Sequence, residues 1–482
     1  MEALLRWATD LGVSDTPPPS SPSAATSSSS SSCLGRSLVV ADFPDAGGRG
    51  LAAARDLRRG ELVLRVPRAA MLTSDRVMAD DPRVAACVRA HRSRLSPVQI
   101  LILCILAEVG KGKSSVWYPY LSQLPSYYTL LCTFNDFEVE ALQVDDAIWV
   151  AEKAIHAIKS DWEEATQPMK ELGFKPKLIM FKSWLWAFAT VSSRTLHIAW
   201  DDAGCLCPIG DLFNYAAPDD ASLEGEDTAE VTNCHQKNEI PCLSERLTDG
   251  GYEDDNAYCL YARKKYRKGE QVLLGYGIYT NMELLEHYGF VLTENPNEKT
   301  FIQLDLDICS VSTWPKDSLY IQANGQPSFA LLCALRLWTT PSNRRKAVSF
   351  QIYSGSLVST ENELKVMKWL ISKCEGTLQQ LPTTLEFDES LLVFLRKIQN
   401  SINCRTDVKQ SSFEKVFAMF LQFYHVEMDY SDHSQIPARL VQPLERWELA
   451  VQWRCNYKKT LTKCILYCKS IVHDLSLQTN KQ

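Results

Sequence analysis

Three short segments, far apart in the chain, hold the residue types that could grip a ligand or a reacting group. The first is Gly47-Gly48-Arg49-Gly50-Leu51. Glycines at a strand entry let backbone approach a ligand closely, or supply φ > 0 for a plain turn. No helix pattern follows, so this is not a dinucleotide fingerprint. The second is Gly210-Asp211-Leu212-Phe213-Asn214-Tyr215-Ala216-Ala217-Pro218. Its asparagine can cap a ligand's polar edge or hold an ordinary Asx turn. The third runs Gly269-Glu270-Gln271-Val272-Leu273-Leu274-Gly275-Tyr276-Gly277, followed by Glu286-His287-Tyr288-Gly289-Phe290. A tyrosine between glycines at a strand end can show its phenol to a cleft. A hydrogen-bonded structural tyrosine is the competing reading.

No metal centre is expected. The sixteen cysteines are scattered and never form CxxC. Cys205 and Cys207 with Cys234-His235 come nearest to ligand spacing, but zinc sites use tighter pairs. Cys464 and Cys468 read as a helical core face. The start of the chain lacks a basic region and a long apolar run, so it does not read as a secretory signal. Reduced thiols in a cytoplasmic or nuclear protein follow, with a chloroplast kept open by the Ser-rich stretch. No apolar run approaches the ~20 residues of a membrane span. The isoelectric point of about 5.7 and the lack of a basic run exclude a nucleic-acid partner.

These segments need elements to position them. Residues 16–32 are Ser/Pro-rich and cannot build a core; they read as a flexible tether behind a helix at 2–11. Leu38–Phe43 is apolar, and Leu51–Pro67 reads as strand, turn, strand, turning at Arg58–Glu61. Ser96-Pro97 opens a helix burying Ile100, Leu101, Leu103 and Leu106. Ile148, Ala151, Ile155, Ile158 and Trp162 form a helical stripe, with His156 beside it at the surface. Leu178–Val191 is a further apolar helix running into Ser193-Arg194. Strands return at Tyr258–Arg263, Gln271–Gly275 and Thr300–Asp307. From about 326 the pattern is helical, with a capping box from Thr360 to Glu363, a stop near Gly376, and a long helix opening at Pro443. Residues 219–255 hold twelve acids and two bases, so their −10 leaves +3 for the rest of a chain of net charge −7. A solvated loop and a collar for a basic substrate are both open for this stretch.

Taken together, these motifs resemble a SET-domain methyltransferase of the Rubisco-methyltransferase-like class. The resemblance rests on GRGLAAARDLRRGELVLRVP, on Trp117-Tyr118-Pro119-Tyr120-Leu121 with Leu124-Pro125, and on Ser193-Arg194. It rests also on Asp211-Leu212-Phe213-Asn214, similar to the family's D-L-x-N-H, and on Tyr276 with Tyr288-Gly289-Phe290. Plant SET-domain-group proteins are the expected relatives. The implied fold is α+β: a SET β-fold with pseudoknot and an inserted helical segment, followed by an all-helical C-terminal domain. The boundaries expected are 1–35 for the leader, 36–300 for the SET domain with an insert at about 90–192, and 301–482 for the helical, substrate-binding-like domain. The resemblance implies S-adenosylmethionine as cofactor and a protein substrate methylated on lysine; the collar reading of the acidic stretch would add a basic segment in that substrate. A histidine or other nitrogen, or a non-catalytic binding module, are the alternatives. It places Gly48, Arg49 and Gly50 along the cofactor and Arg194 at its carboxylate end. Asn214 and Tyr215 would meet it largely through main chain, and Tyr288 and Phe290 would wall the pocket. Tyr276 would stand at the methyl-transfer channel as the catalytic tyrosine. Where the family usually carries histidine after the asparagine, this chain has Tyr215. No zinc-binding cysteine segment follows the motifs.

Overall fold

The computed structural model describes residues 1–16, 32–44, 47–217, 249–253, 256–311, 313–400, 413–426 and 436–479. The Ser/Pro-rich stretch and most of the acidic stretch lie outside them. The chain forms two compact units. The first comprises 1–128 and 155–278, the second 129–154 and 279–482. The compact units divide the chain at 278/279, and residues 129–154 group with the C-terminal helices.

In the first unit, helix α1 (Glu2–Asp10) buries Leu4 and Ala8. Trp7 packs edge-on to Trp117, with ring centroids 5.6 Å apart. Asp15 then ties both flanks of the Ser/Pro-rich stretch together. Its Oδ2 accepts the backbone N–H of Gly35, Arg36, Ser37 and Leu38 at 2.7–3.1 Å, and its own N–H donates to Cys33 O at 3.0 Å.

Strands β1 (Leu38–Phe43) and β2 (Gly48–Ala53) pair antiparallel. The turn at Arg58–Glu61 forms, with Glu61 N donating to Arg58 O. It does not close a hairpin, however: β3 (Leu62–Pro67) leaves β2 and joins a later strand. Then come α2 (Ser74–Asp80), α3 (Pro82–His91) and α4 (Pro97–Lys111). Helix α4 starts as its sequence demands. Ser96 accepts from Gln99 N, the Gln99 side chain reaches back, and Pro97 takes the first turn, where no N–H is needed. Helix α5 (Tyr118–Leu121) follows. Helix α6 (Asp136–Glu140) belongs to the second unit. Helix α7 (Asp145–Glu171) contributes to both, and His156 on it is exposed. Short α8 (Pro176–Ile179) and α9 (Phe181–Arg194) follow in this unit.

The remaining strands of the unit are β4 (Thr195–Ile198), β5 (Asp201–Leu206), β6 (Asn214–Tyr215), β7 (Gly250–Glu253), β8 (Ala257–Tyr261) and β9 (Leu273–Leu274). Their sheets are β4–β5, β3–β8–β7 and a short parallel pair, β6–β9. That parallel pair brings the asparagine segment and the Tyr276 segment side by side, although 58 residues separate the paired Tyr215 and Leu274 from consecutive placement.

The second unit is mainly helical. It contains α10 (Asn281–His287), β10 (Lys299–Thr300), α11 (Leu306–Val311), β11 (Ile321–Gln322) and α12 (Phe329–Thr339). Then follow α13 (Arg345–Tyr353), α14 (Thr360–Gln380), α15 (Leu385–Asn400), α16 (Glu414–Phe423) and α17 (Ala438–Thr479). The strand expected at Thr300–Asp307 stops after Thr300. Among the described residues its partner is β11, two residues long, and Leu306 already begins a helix. Ser359, not Thr360, caps α14, accepting Asn362 N at 3.1 Å. Glu363 turns instead to Arg336, in a buried bidentate pair at 2.8 and 2.9 Å. Gly376 does not end the helix, which continues to Gln380. Pro443 lies inside α17, not at its start. Cys464 and Cys468 are buried in the core that α12, α14 and α17 share, as a core face should be.

Glu298 gives this unit a pH dependence. It accepts Asn281 N at 3.2 Å, yet burial pushes its carboxyl up to about 7. The folded state therefore holds the proton more tightly than the unfolded chain. The stability gained is complete below the ordinary carboxyl pKa of about 4.5 and is lost as pH rises through about 7. Glu298→Gln should raise the melting temperature at pH 8 and leave it nearly unchanged at pH 4. Calorimetric scans at both pH values check this, and an equal effect at both would contradict it.

Candidate functional site

The site in the first unit is built around the turn that delivers Asn214. Ile209 enters this turn at φ 71°. For a β-branched residue that backbone is strained by on the order of 1–3 kcal/mol. Its full burial holds it there. Asp211 N then donates to Cys207 O at 2.9 Å and Leu212 N to Ile209 O at 3.1 Å. The turn leads into β6, and so to Asn214 and Tyr215.

Asn214 meets the first glycine segment. A Cβ added at Gly50 would lie 2.8 Å from Asn214 Nδ2 and 3.0 Å from Gln271 Nε2; one added at Gly47 would lie 2.9 Å from the Asn214 carboxamide. The Asn214 carboxamide thus packs directly on both glycines, and a side chain at either would have to push it aside. Gly48 adds a positive φ of 71°. The Arg49 side chain turns away and donates from Nη2 to Gln123 O at 2.7 Å.

Arg194, the last residue of α9, donates from Nη1 to Asp211 Oδ2 at 3.0 Å and to Asp211 O at 3.2 Å. The Tyr120 hydroxyl donates to the same carboxylate oxygen at 2.9 Å. Asp211 is 3% exposed and Arg194 19%. Burial is the main force raising the Tyr120 phenol well above its usual pKa, and the Asp211 charge adds to it. Tyr128 stands nearby, its hydroxyl accepting from Thr190 Oγ1 at 3.0 Å. One polar atom here is left over. Among the described residues Arg194 Nε is buried with no hydrogen-bond partner, while burial raises the Tyr128 phenol's pKa and the guanidinium lies close enough to oppose that rise. A buried donor without an acceptor costs about 1–3 kcal/mol, so this atom is suited to an anionic ligand group.

Tyr276 follows β9, and its hydroxyl donates to Phe213 O. Burial raises its phenol far above the ordinary value, with the nearby Arg194 charge opposing and Asp211 adding. Tyr276 thus stays protonated at neutral pH and can still accept through its oxygen lone pairs. Tyr215 is 9% exposed. Its hydroxyl donates to Gly277 O at 3.0 Å, and its ring lies 5.3 Å from that of Tyr276. The tyrosine in the place of the expected histidine therefore holds the backbone just after Tyr276.

Seven of the nine expected residues (Gly48, Arg49, Gly50, Arg194, Asn214, Tyr215 and Tyr276) fall in the first unit. Tyr288 and Phe290 fall in the second, in an aromatic cluster with Tyr279. Sequence reasoning assigned no role to Asp211 or Tyr120, although both stood in quoted motifs. Nothing in their spacing shows that they share Arg194. Of the acidic stretch, two described members have internal partners. Asp249 accepts Gly275 N at 2.8 Å and lies 3.5 Å from Arg263 Nε. Glu253 accepts the Tyr261 hydroxyl. Cys205 and Cys207 are buried thiols; Cys234 and His235 lie outside the described residues.

The chain is 49% identical to Protein SET DOMAIN GROUP 40 of Arabidopsis thaliana, over 98% of this chain and 96% of that protein. It belongs to the SET-domain methyltransferase family. The Rubisco LSMT substrate-binding family matches residues 283–404, which sets the chain in the Rubisco-methyltransferase-like class. A human actin-histidine N-methyltransferase is 25% identical over 72% of this chain and 59% of its own length. Among solved structures, the SET domain of LSMT bound to lysine and AdoHcy shares the fold, with TM-score 0.57 and 18% identity over 91% of this chain and 88% of that one. Rubisco LSMT bound to AdoMet superposes with TM-score 0.55 and 19% identity over the same shares. The α+β SET architecture expected from sequence is thereby shown, and among the described residues no helix is long and apolar enough to cross a membrane.

Removing Asp211 should be severe, because it strands a buried guanidinium. Asp211→Ala should cost about 3–5 kcal/mol. Tyr120→Phe, which removes only a neutral donor, should cost about 1 kcal/mol. Urea unfolding of both variants checks the order; equal costs would contradict the shared role of Asp211.

Proposed function

We propose that this SET-domain protein transfers a methyl group from S-adenosylmethionine to a lysine side chain of a protein substrate. The observation that carries this reading is the unpaired, buried Arg194 Nε, set among Gly48–Gly50, Asn214, Tyr215 and Tyr276. The residues present fit the cofactor. Arg194 offers Nε to its carboxylate while Asp211 holds the guanidinium in place. Gly48, Arg49 and Gly50 offer backbone, since the Arg49 side chain is already committed to Gln123 O. Asn214 and Tyr215 offer main-chain groups from β6.

The cofactor supplies an activated methyl on a sulfonium; the sulfur–methyl bond breaks as the nitrogen–carbon bond forms. The protein positions and desolvates. The lysine must first lose a proton, its free pKa being ~10.4. A desolvating channel and nearby positive charge both disfavour the ammonium. Tyr276 acts as an orienting group. Its proton is held by Phe213 O, so towards an amine N–H its oxygen would act as an acceptor. Its raised pKa keeps it a neutral phenol, so water, not Tyr276, takes the amine proton. A basic segment in the substrate would suit the acidic stretch 219–255.

Histidine as the target is the second reading, favoured by the likeness to actin-histidine N-methyltransferases. Methylation of plant extract with labelled cofactor, followed by mass spectrometry of the labelled band, separates the two; methylhistidine in place of methyllysine would replace the first reading. Tyr276→Phe should lower kcat by on the order of 10²-fold while cofactor affinity changes little. Undiminished turnover in this variant would remove Tyr276 from the transfer step.

A further inference from the structure

Outside the cofactor site, one cluster brings together three residues that ligate metals. Cys87 and His91 lie four apart on α3, so they share a face of that helix. Glu171 is the last residue of α7. Cys87 Sγ, a His91 ring nitrogen and a Glu171 carboxylate oxygen all lie within 4.8 Å of one another. His91 Nε2 is 2.7 Å from Glu171 Oε2. All three residues belong to the first unit.

Three features favour a cation here. His91 ends α3 and Glu171 ends α7, so the negative ends of two helix dipoles meet at the cluster. A carboxylate in the last turn of a helix is at its unfavourable end, and a bound cation would reverse that cost. One ligand is also oriented from behind. Gln167 Nε2 donates to Glu171 Oε1 at 2.9 Å, whereas the bond from the Cys87 thiol to Pro168 O, at 3.7 Å, is given up when the thiol loses its proton. Outer partners of this kind fix ligand direction in metal sites.

We propose that Cys87, His91 and Glu171 form a zinc site that clasps α3 to α7. Thiolate, imidazole and carboxylate are all zinc ligands, at about 2.3, 2.0–2.1 and 2.0–2.2 Å. Those bond lengths put tetrahedral ligand atoms roughly 3.3–3.6 Å apart. The His91–Glu171 contact must therefore open by about half an ångström, and the Cys87 sulfur must swing in by about one ångström at most. Side-chain rotation alone supplies both. The Cys87 thiol gives its proton to solvent as the metal–sulfur bond forms. Water takes the fourth position, which the half-exposed rim of the cluster leaves open. The spacing of Cys87 and His91 alone did not point here, because the third ligand lies 80 residues away.

The test is a titration of the full chain, freed of metal by chelator, with Co²⁺ and then Zn²⁺. One Co²⁺ per chain should bind, with a near-ultraviolet sulfur-to-cobalt band and the strong visible bands of a four-coordinate ion. Zn²⁺ should displace it. Cys87→Ser should abolish the sulfur band, and His91→Gln and Glu171→Gln should each weaken binding at least tenfold. Cys309→Ser, at another half-buried cysteine, should leave the spectrum unchanged. Absence of the sulfur band in the native chain would overturn the proposal and leave His91–Glu171 as an ion pair only. So would a band that survives Cys87→Ser, or affinity unchanged by His91→Gln if the serine variant does not fold.

Discussion

The pairing of Arg194 with Asp211 is the contact on which the first unit's site depends. One carboxylate, 3% exposed, fixes the end of α9 and accepts the Tyr120 hydroxyl from α5. The same residue begins the turn that delivers Asn214 and Tyr215. Helix, insert and β6 are thus held by one buried charge. A buried pair of this kind contributes little net stability compared with apolar packing, but losing one partner is severe. Its value here is positional: it spends one nitrogen of Arg194 on the scaffold and leaves Nε for a ligand.

A second set of buried charges organises the other unit. Asp388 accepts from Arg454 Nη2 at 2.7 Å and Lys458 Nζ at 2.5 Å. Lys458 also donates to Gln143 Oε1 at 3.2 Å, Arg454 to Ala141 O at 2.6 Å, and Arg446 lies 3.4 Å from the fully buried Glu138. Residues 129–154 are therefore bound to α17 by buried polar groups that α15 and the segment before it share. Together with the packing of Phe137 on Phe420 and Trp447, this explains why a segment that reads as insert belongs to the C-terminal unit.

How much was legible follows from the range of each signal. Local chemistry read well: the helix start at Ser96-Pro97 and the Ile148–Trp162 stripe stand as helices, whereas the helix expected over Leu178–Val191 is broken at the extended Met180 into α8 and α9. Signals that depend on distant partners failed. The alternation after Thr300 is a true alternation of burial, with Phe301 exposed and Ile302 buried, but no strand runs alongside to extend it. Glu363 fits a capping box by spacing, yet Arg336 offers it a stronger, charged partner. Strand, turn and strand all form around Arg58–Glu61, but the partner of β3 was not legible, because β3 finds β8 about 190 residues later. In the site, motif likeness brought Gly48, Asn214 and Tyr276 into view, while the Asp211–Tyr120 link needed the fold. Tyr215 looked like a departure; its hydroxyl on Gly277 O gives it a structural role.

The account's central claim is that Arg194, spared by Asp211, keeps one donor for the carboxylate of S-adenosylmethionine. Calorimetric titration of the native chain and of Arg194→Lys with that cofactor tests it most directly. Lysine keeps the positive charge but loses the planar fork that serves Asp211 and a ligand at once. The account predicts one binding site per native chain and affinity at least tenfold weaker in the variant, about 1.4 kcal/mol. No heat of binding from the folded native chain, or equal affinity in the two proteins, would contradict it.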